Sequence, residues 1–320
     1  MRKKVVVDCD VGVDDALALI LAFHSPELEV KAVTAVNGNV PLPLVFQNIQ
    51  KVLSLIQPFE KPIIAKGADR PLKGNPIHAH SVHGKGGLGE ARIDPKQGEE
   101  WWEHSPSHAA DLIPSLARQF PDKITLIAIG PLTNLALGLQ KDLEGMKKLK
   151  EVVVMGGAVR TKGNVTPYAE FNIFTDPLAA QLVFESGLPI KLVPLDVTHQ
   201  VYLTPRLIEE TIIPMKNAFS HFLIEATRYD ITSHLFQLGS ESIYLHDPLA
   251  VGIVVDPDLV RTERLSIQAE TREGEHYGRT LEAPGKGPKD ASGSRKVEVC
   301  LGVNPEKFLK LFLSRVSFSP

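Results

Sequence analysis

The chain has only two cysteines, Cys9 and Cys300, in 320 residues. They are far apart and too few for a disulfide framework, so a reducing compartment is expected, by default the cytoplasm. It also lacks a charge imbalance: the formal net charge is −3, which leaves no electrostatic footprint for nucleic acid or an anionic membrane. No apolar run approaches the roughly 20 residues of a membrane span. Met1-Arg-Lys-Lys and the valines after it open like a signal peptide. Asp8 cuts that run well short of the roughly 7–15 apolar residues a leader needs, so none is expected. There is no internal repeat and no clear domain boundary. With 43% hydrophobic residues the chain can bury a full core, and one α/β domain over residues 1–320 is expected rather than two small ones.

What the chain does have is four aspartates within eight residues: Asp8, Asp10, Asp14 and Asp15 in VVVDCDVGVDDALALILAF. They stand where an apolar strand gives way to an apolar helix. Carboxylates this close repel one another, so clustering them calls for a cation. The period of two along the strand makes Asp8 and Asp10 lean the same way. Asp14 and Asp15 fall in the first helical turn, where negative charge suits the macrodipole. Oxygen-only ligands at the carboxyl end of a strand indicate a hard divalent cation, Ca²⁺ or Mg²⁺. Helix capping would account for one of Asp14 and Asp15, not for all four residues.

Strand-like and helix-like runs alternate over the first two thirds: VVVD, KAVTAV, PIIAKG, KITLIAIG, EVVVMGG and KLVPLDV, with amphipathic segments such as NIQKVLSLIQ, HAADLIPSLARQF and DPLAAQLVFES between them. β-Branched runs separated by helices predict an open, mostly parallel, Rossmann-like sheet covered on both faces. Such sheets carry ligands at the carboxyl ends of their strands, where Asp8 and Asp10, Asn37 and Asn39, Ile129, Met155 and Asp196 all fall. The last third is expected to be more helical, with a long candidate near residues 217–236 and another after His246. It also holds strand-like LSIQAE, YGRTL and KVEVCLGV and a final helix, PEKFLKLFLSRV. APGKGPKDASGS reads as a surface loop.

The opening segment matches the pattern DxDxGxDDA, and further blocks follow in order: AVNGN, SVHGKGGLG, IAIGPLTNLA, VVVMGGA, GNVTPYAEFNIFTDPLAA, LDVTH and LHDPLAV. Together these collinear blocks resemble the inosine–uridine-preferring nucleoside hydrolases, which cleave the N-glycosidic bond of ribonucleosides with a tightly bound Ca²⁺. The resemblance implies Asp10, Asp15, the backbone carbonyl of Ile129 and Asp247 as metal ligands. Many family members carry Thr where this chain has Ile129, a change that a backbone ligand tolerates. Asp8, one step back in the strand, is expected to support the site from behind.

Breaking a C1′–N bond requires stabilising an oxocarbenium-like ribosyl centre and making a base leave. By resemblance, Asp10 is the base toward water, Asp14 accepts from the ribose 2′-hydroxyl, and Asn39 orients water or sugar. Asn164, Glu170 and Asn172 grip the other hydroxyls, with Met155 and Phe171 packed against the sugar; amides and carboxylates suit a polyol. His246, beside Asp247, is the candidate acid for the leaving base, and His83 is the second. His78 and His80, with His83, make an HxHxxH run, but without cysteines or a fourth ligand it reads as loop histidines. Thr133 and Asn134 are expected at a helix start, and Asp196 and His199 are open between supporting and other roles.

For the base pocket the resemblance points to Tyr229, Asp230 and His234, with Phe236 as another stacking partner. Asp230 and His234 stand where purine-accepting relatives carry tyrosines, so purine and pyrimidine remain open and mixed ribonucleosides are the expectation. Residues 78–89 and 229–240 are candidates for loops that close over the site. A homo-oligomer, dimer or tetramer, follows by analogy. Two other readings compete. A haloacid-dehalogenase-type phosphatase also opens on a strand ending in DxD, with Asp8 as nucleophile and Mg²⁺ as metal, but no GDxxxD-like motif follows. A metal-stabilised nucleoside-binding protein without catalysis would keep the ligands but need neither Asp10 as base nor His246 as acid.

Overall fold

A computed structural model describes residues 1–89, 91–93, 100–226, 242–283 and 297–317. The strands, in chain order, are β1 (Lys3–Cys9), β2 (Leu28–Ala35), β3 (Ile63–Lys66), β4 (Glu103–His104), β5 (Ile124–Ala128), β6 (Glu151–Met155) and β7 (Ile190–Val193). They continue with β8 (Tyr202–Leu203), β9 (Ile243–Tyr244), β10 (Val260–Leu265), β11 (Ile267–Ala269), β12 (Thr280–Glu282) and β13 (Val297–Val303). Nine of them form one sheet in the order β10-β13-β7-β6-β5-β1-β2-β3-β4. Every pairing in it is parallel except that of β10 with β13. The expected α/β architecture is therefore present.

From β1 the chain steps outward through β2, β3 and β4, then returns to place β5 on the other side of β1. The strand order reverses between β1 and β5, and a crevice opens at such a switch point. Asp8 lies there, in register with Thr34 of β2 and Ala128 of β5.

The strand sequences are apolar without alternation because both faces are covered. Val5, Val7 and Cys9 of β1 join one core with helices Val13–Phe23, Leu42–Ile56, His246–Val255 and Pro305–Val316. Val6, one residue out of phase, joins the other core with helices Ala109–Gln119, Thr133–Lys141 and Pro177–Glu185.

Helix Val13–Phe23 is buried nearly all round, as suits one held between a sheet and an outer helix. It packs on helix His246–Val255, whose Gly252 lets the Phe308 ring come close: a Cβ there would lie 2.5 Å from Phe308 Cε2. At the carboxyl end of that helix Lys3 Nζ donates to the Val254 carbonyl at 2.7 Å, a cation on otherwise orphaned acceptors. The helix that brings His246 and Asp247 to the crevice is thus anchored to β1 at its far end.

Some expectations are corrected. LSIQAE is not one strand: β10 ends at Leu265, and β11 starts at Ile267 in a separate ribbon with β12. The polar run VRTERL escapes a hydrophobicity reading because β10 is an edge strand, largely exposed. The two-residue strands β4, β8 and β9 are too short to show a period. Of the long helix expected near residues 217–236, residues 217–226 are described and 218–226 are helical; the rest lies outside the described residues.

Candidate active site

Cys9 ends β1, and the next residues turn across the crevice into helix Val13–Phe23. Asp8 stays in the strand, fully buried, where one oxygen accepts from Thr34 Oγ1 and from Asn134 Nδ2. Burial pushes its carboxyl up to about 7 against these two bonds. Asn134, at the start of helix Thr133–Lys141 as expected, also donates to the Ala35 carbonyl and accepts from the Ala68 amide.

Asp10 is fully buried. Its Oδ2 accepts the Asn39 amide at 2.7 Å, while its Oδ1 is buried without a hydrogen-bond partner. Glycines allow the flanking loops to close on it: a Cβ at Gly38 would lie 2.0 Å from Oδ2, and one at Gly130 would lie 2.8 Å from Oδ1. Asp15 does act as a cap. It accepts the amides of Gly12 (2.8 Å) and Asp10 (3.2 Å), and the Asn39 side-chain amide at 3.1 Å.

Oxygens of Asp14, Asp15 and Asp247 lie within 4.8 Å of one another. Burial first, then the neighbouring carboxylates, holds Asp10 and Asp247 well above the ordinary range and Asp15 at about 7. Among the described residues, no lysine or arginine lines the cavity that Asp14 and Asp247 border. Packed carboxylates need either protons or a cation, and a buried, unpartnered Asp10 oxygen is a ready ligand. An oxygen-only set fits a hard divalent ion.

The cavity encloses about 180 Å³ and takes in Asp14, Asn39, His83, Ile129, Met155, Asn164, Glu170, Phe171, Asn172, His246 and Asp247. Several of these also hold the backbone. Glu170 caps the short helix Phe171–Thr175, with its carboxylate accepting from the amides of Gly157, Asn172 and Ile173. Burial raises its pKa in opposition to these bonds. Asn172 Nδ2 donates to the carbonyls of Ile129 (3.0 Å) and Met155 (3.2 Å), which joins the ends of β5 and β6. The Phe171 amide donates to Asn164 Oδ1.

The Val13 amide donates to His83 Nδ1 at 3.3 Å, and His83 Nε2 lies 4.0 Å from Asp14 Oδ1. An accepting Nδ1 assigns the proton to Nε2, the nitrogen facing Asp14. His78 Nδ1 lies 2.9 Å from the Gly38 carbonyl and His80 Nδ1 3.4 Å from that of Gly84; His78 is in a loop as expected, whereas His80 and His83 begin and end a one-turn helix, His80–His83. His246 Nδ1 lies 2.7 Å from Thr198 Oγ1. Asp196 accepts the amides of Val159 and Arg160 and holds that turn.

Sequence reading left His199 open and missed Thr198, Ile243 and Tyr244. His199, Ile243 and Tyr244 line the cavity, and Thr198 touches it through His246. The block LDVTH contained the first two without marking which way they face. Tyr244 enters through the short pairing of β9 with β8. Tyr229, Asp230, His234 and Phe236 lie outside the described residues.

Residues 5–310 match the model of the family described as inosine-uridine preferring nucleoside hydrolase. The chain belongs to this family. It is therefore an enzyme of the nucleoside hydrolase kind, which retires the phosphatase and binding-only readings. Uridine nucleosidase 1 of Arabidopsis thaliana is 35% identical over 284 residues, 88% of this chain and 82% of that protein. The inosine-uridine preferring nucleoside hydrolase of Crithidia fasciculata is 36% identical over 271 residues, 84% of each chain. Among solved structures, a plant nucleoside hydrolase, the PpNRh1 enzyme, superposes with a TM-score of 0.92 at 33% identity over 100% of both chains. No described helix of this nucleoside hydrolase is long and apolar enough to cross a membrane.

Proposed function

We propose that this enzyme hydrolyses the N-glycosidic bond of ribonucleosides, uridine and inosine among them, to ribose and free base, and that it uses Ca²⁺. The observation that carries the reading is one cavity with two kinds of lining. One is a set of carboxylates and amides (Asp14, Glu170, Asp247, Asn39 and Asn172), the other a set of rings and aliphatic side chains. The first suits a polyol and the second a heterocycle.

Asp10, Asp15 and Asp247, with the Ile129 carbonyl, would hold the cation, and Asp14 stands against the same group. A bound divalent ion supplies Lewis acidity at the ribose end. Asp10 takes the proton of the attacking water. Asp14 accepts from the 2′-hydroxyl, and Asn39, already bonded to Asp15, orients sugar or water. Glu170, Asn172 and Asn164 hold the remaining hydroxyls, while Met155 and Phe171 pack on the ring. His246 protonates the leaving base, and His83 is a donor at its edge.

The 320 residues act as one cytoplasmic domain in a homo-oligomer, a dimer or tetramer, with the segment of Tyr229, Asp230 and His234 completing the base pocket. Release of free base from inosine and uridine, before and after metal is stripped and Ca²⁺ restored, tests the reading. Calcium-restored hydrolysis supports it. No turnover of either by folded, calcium-loaded protein rejects it.

A further inference from the structure

Three rings meet in the wall of the same cavity. The centroid of His199 lies 5.0 Å from that of Tyr244 and 5.6 Å from that of His246, and Tyr244 stands 5.4 Å from His246 at an interplanar angle of 30°. All three border the cavity, as do Ile243 and Val82. They arrive from two places in the chain. His199 closes the short helix Leu195–Thr198 that follows β7, and Tyr244 comes from β9, opposite Tyr202 of β8. The Tyr202 ring, 6.0 Å from Tyr244 and edge-on to it, continues the series outward.

We infer that His199 is a specificity-determining residue that hydrogen-bonds the heterocycle of the leaving base, with Tyr244 as the ring that sets it beside His246. The inference rests on the nucleoside-hydrolysis reading and deepens it. In that reading the ribose is held by the carboxylates and amides and His246 serves the leaving base, so the base lies near His246, whose ring centroid is 5.6 Å from that of His199.

Tyr244 lies nearly parallel to His246, and Thr198 holds the Nδ1 of His246. One nitrogen of His246 is therefore already committed, and His199 supplies a further polar edge. Burial lowers the His199 pKa, opposed by Asp196, so near neutral pH its ring is uncharged. A neutral imidazole offers one N–H and one lone pair and can exchange which nitrogen carries which. Uracil and hypoxanthine present a carbonyl beside an N–H, whereas cytosine and adenine present an amine beside a ring nitrogen. An imidazole that changes tautomer can pair with either edge, whereas a fixed cation could only donate. The ligand class is a neutral heteroaromatic base with ring nitrogens, of either polarity.

The test compares His199→Phe, which keeps a ring and loses both nitrogens, with wild type on uridine, inosine and p-nitrophenyl riboside. The leaving group of the last has no ring nitrogen. The expected result is a fall of about tenfold in kcat/KM for both nucleosides, the scale of one lost hydrogen bond, with p-nitrophenyl riboside within about twofold of wild type. His199→Asn, which keeps a donor and an acceptor, should recover part of the nucleoside activity. An equal fall on all three substrates in both variants would show that His199 only shapes the site, a nucleoside loss that vanishes when His199→Phe is made in a His246→Ala background would show that it acts only through His246, and no fall on any would show that it does not meet the base; each overturns the inference. Failure of wild type on all three substrates would remove the nucleoside reading itself, and the inference with it.

Discussion

Thr198 Oγ1 sits 2.7 Å from His246 Nδ1, with Thr198 fully buried. A hydroxyl at that nitrogen fixes the ring's rotation and leaves Nε2 as its other polar atom. Thr198→Val keeps the shape and removes the hydroxyl. We expect kcat on uridine to fall by about 5–10-fold, the scale of one hydrogen bond, with a smaller loss on p-nitrophenyl riboside, which needs no proton to leave. Equal losses on the two substrates would mean that Thr198 acts only on packing.

Asp10→Asn removes the proposed base while preserving size. The Asn39 amide can still donate to the remaining carbonyl oxygen, so the fold should persist by circular dichroism. Activity should drop by roughly 10²–10⁴-fold, the usual contribution of a general base. Turnover close to wild type would exclude Asp10 from that role.

Metal removal should make stability depend on pH. The folded chain holds Asp10, Asp15 and Asp247 above their ordinary pKa, Asp15 at about 7. Groups whose folded pKa is raised bind more protons folded than unfolded, so stability falls as pH rises from the unfolded value near 4 toward the folded ones. Chelated protein should therefore melt at a lower temperature at pH 8 than at pH 5.5, and Ca²⁺ should restore more at pH 8. A flat melting profile without metal would contradict this electrostatic picture.

Asn134 bridges three places: the Asp8 carboxylate, the Ala35 carbonyl and the Ala68 amide. Asn134→Leu would leave Asp8 with Thr34 as its one side-chain donor, take the Asn134 bonds from the Ala35 carbonyl and the Ala68 amide, and crowd Gly67, where even a Cβ would lie 2.2 Å from Asn134 Oδ1. A loss of about 2–4 kcal/mol in unfolding free energy is expected, readable by urea titration.

The sheet was legible because β1, β5 and β6, in its middle, are buried on both faces and leave the apolar runs VVV, LIA and VVVM. β10 was not, because an exposed edge strand carries a polar sequence. Among site residues, the aspartates announced themselves by mutual repulsion that no soluble surface requires. Thr198, Ile243 and Tyr244 gave no such signal: a threonine, an isoleucine and a tyrosine occur anywhere, and only the short β8–β9 pairing and the turn after β7 bring them to the cavity. The double service of Glu170 and Asn172, which bond backbone groups while facing the cavity, was equally hidden, since a composition suited to sugar also suits loop amides.

Asp15 begins a helix and stands in the carboxylate group at the same time. Ion affinity and helix initiation therefore share one side chain, yet the two duties have different chemical requirements. Capping Gly12 needs only an oxygen acceptor, whereas attracting a cation needs charge. Asp15→Asn would separate them in part: it keeps an oxygen for Gly12 and Asn39 but turns its NH2 on the Asp10 amide that the other oxygen accepts. The helix start should survive with one bond fewer, while much of the hold on the ion is lost.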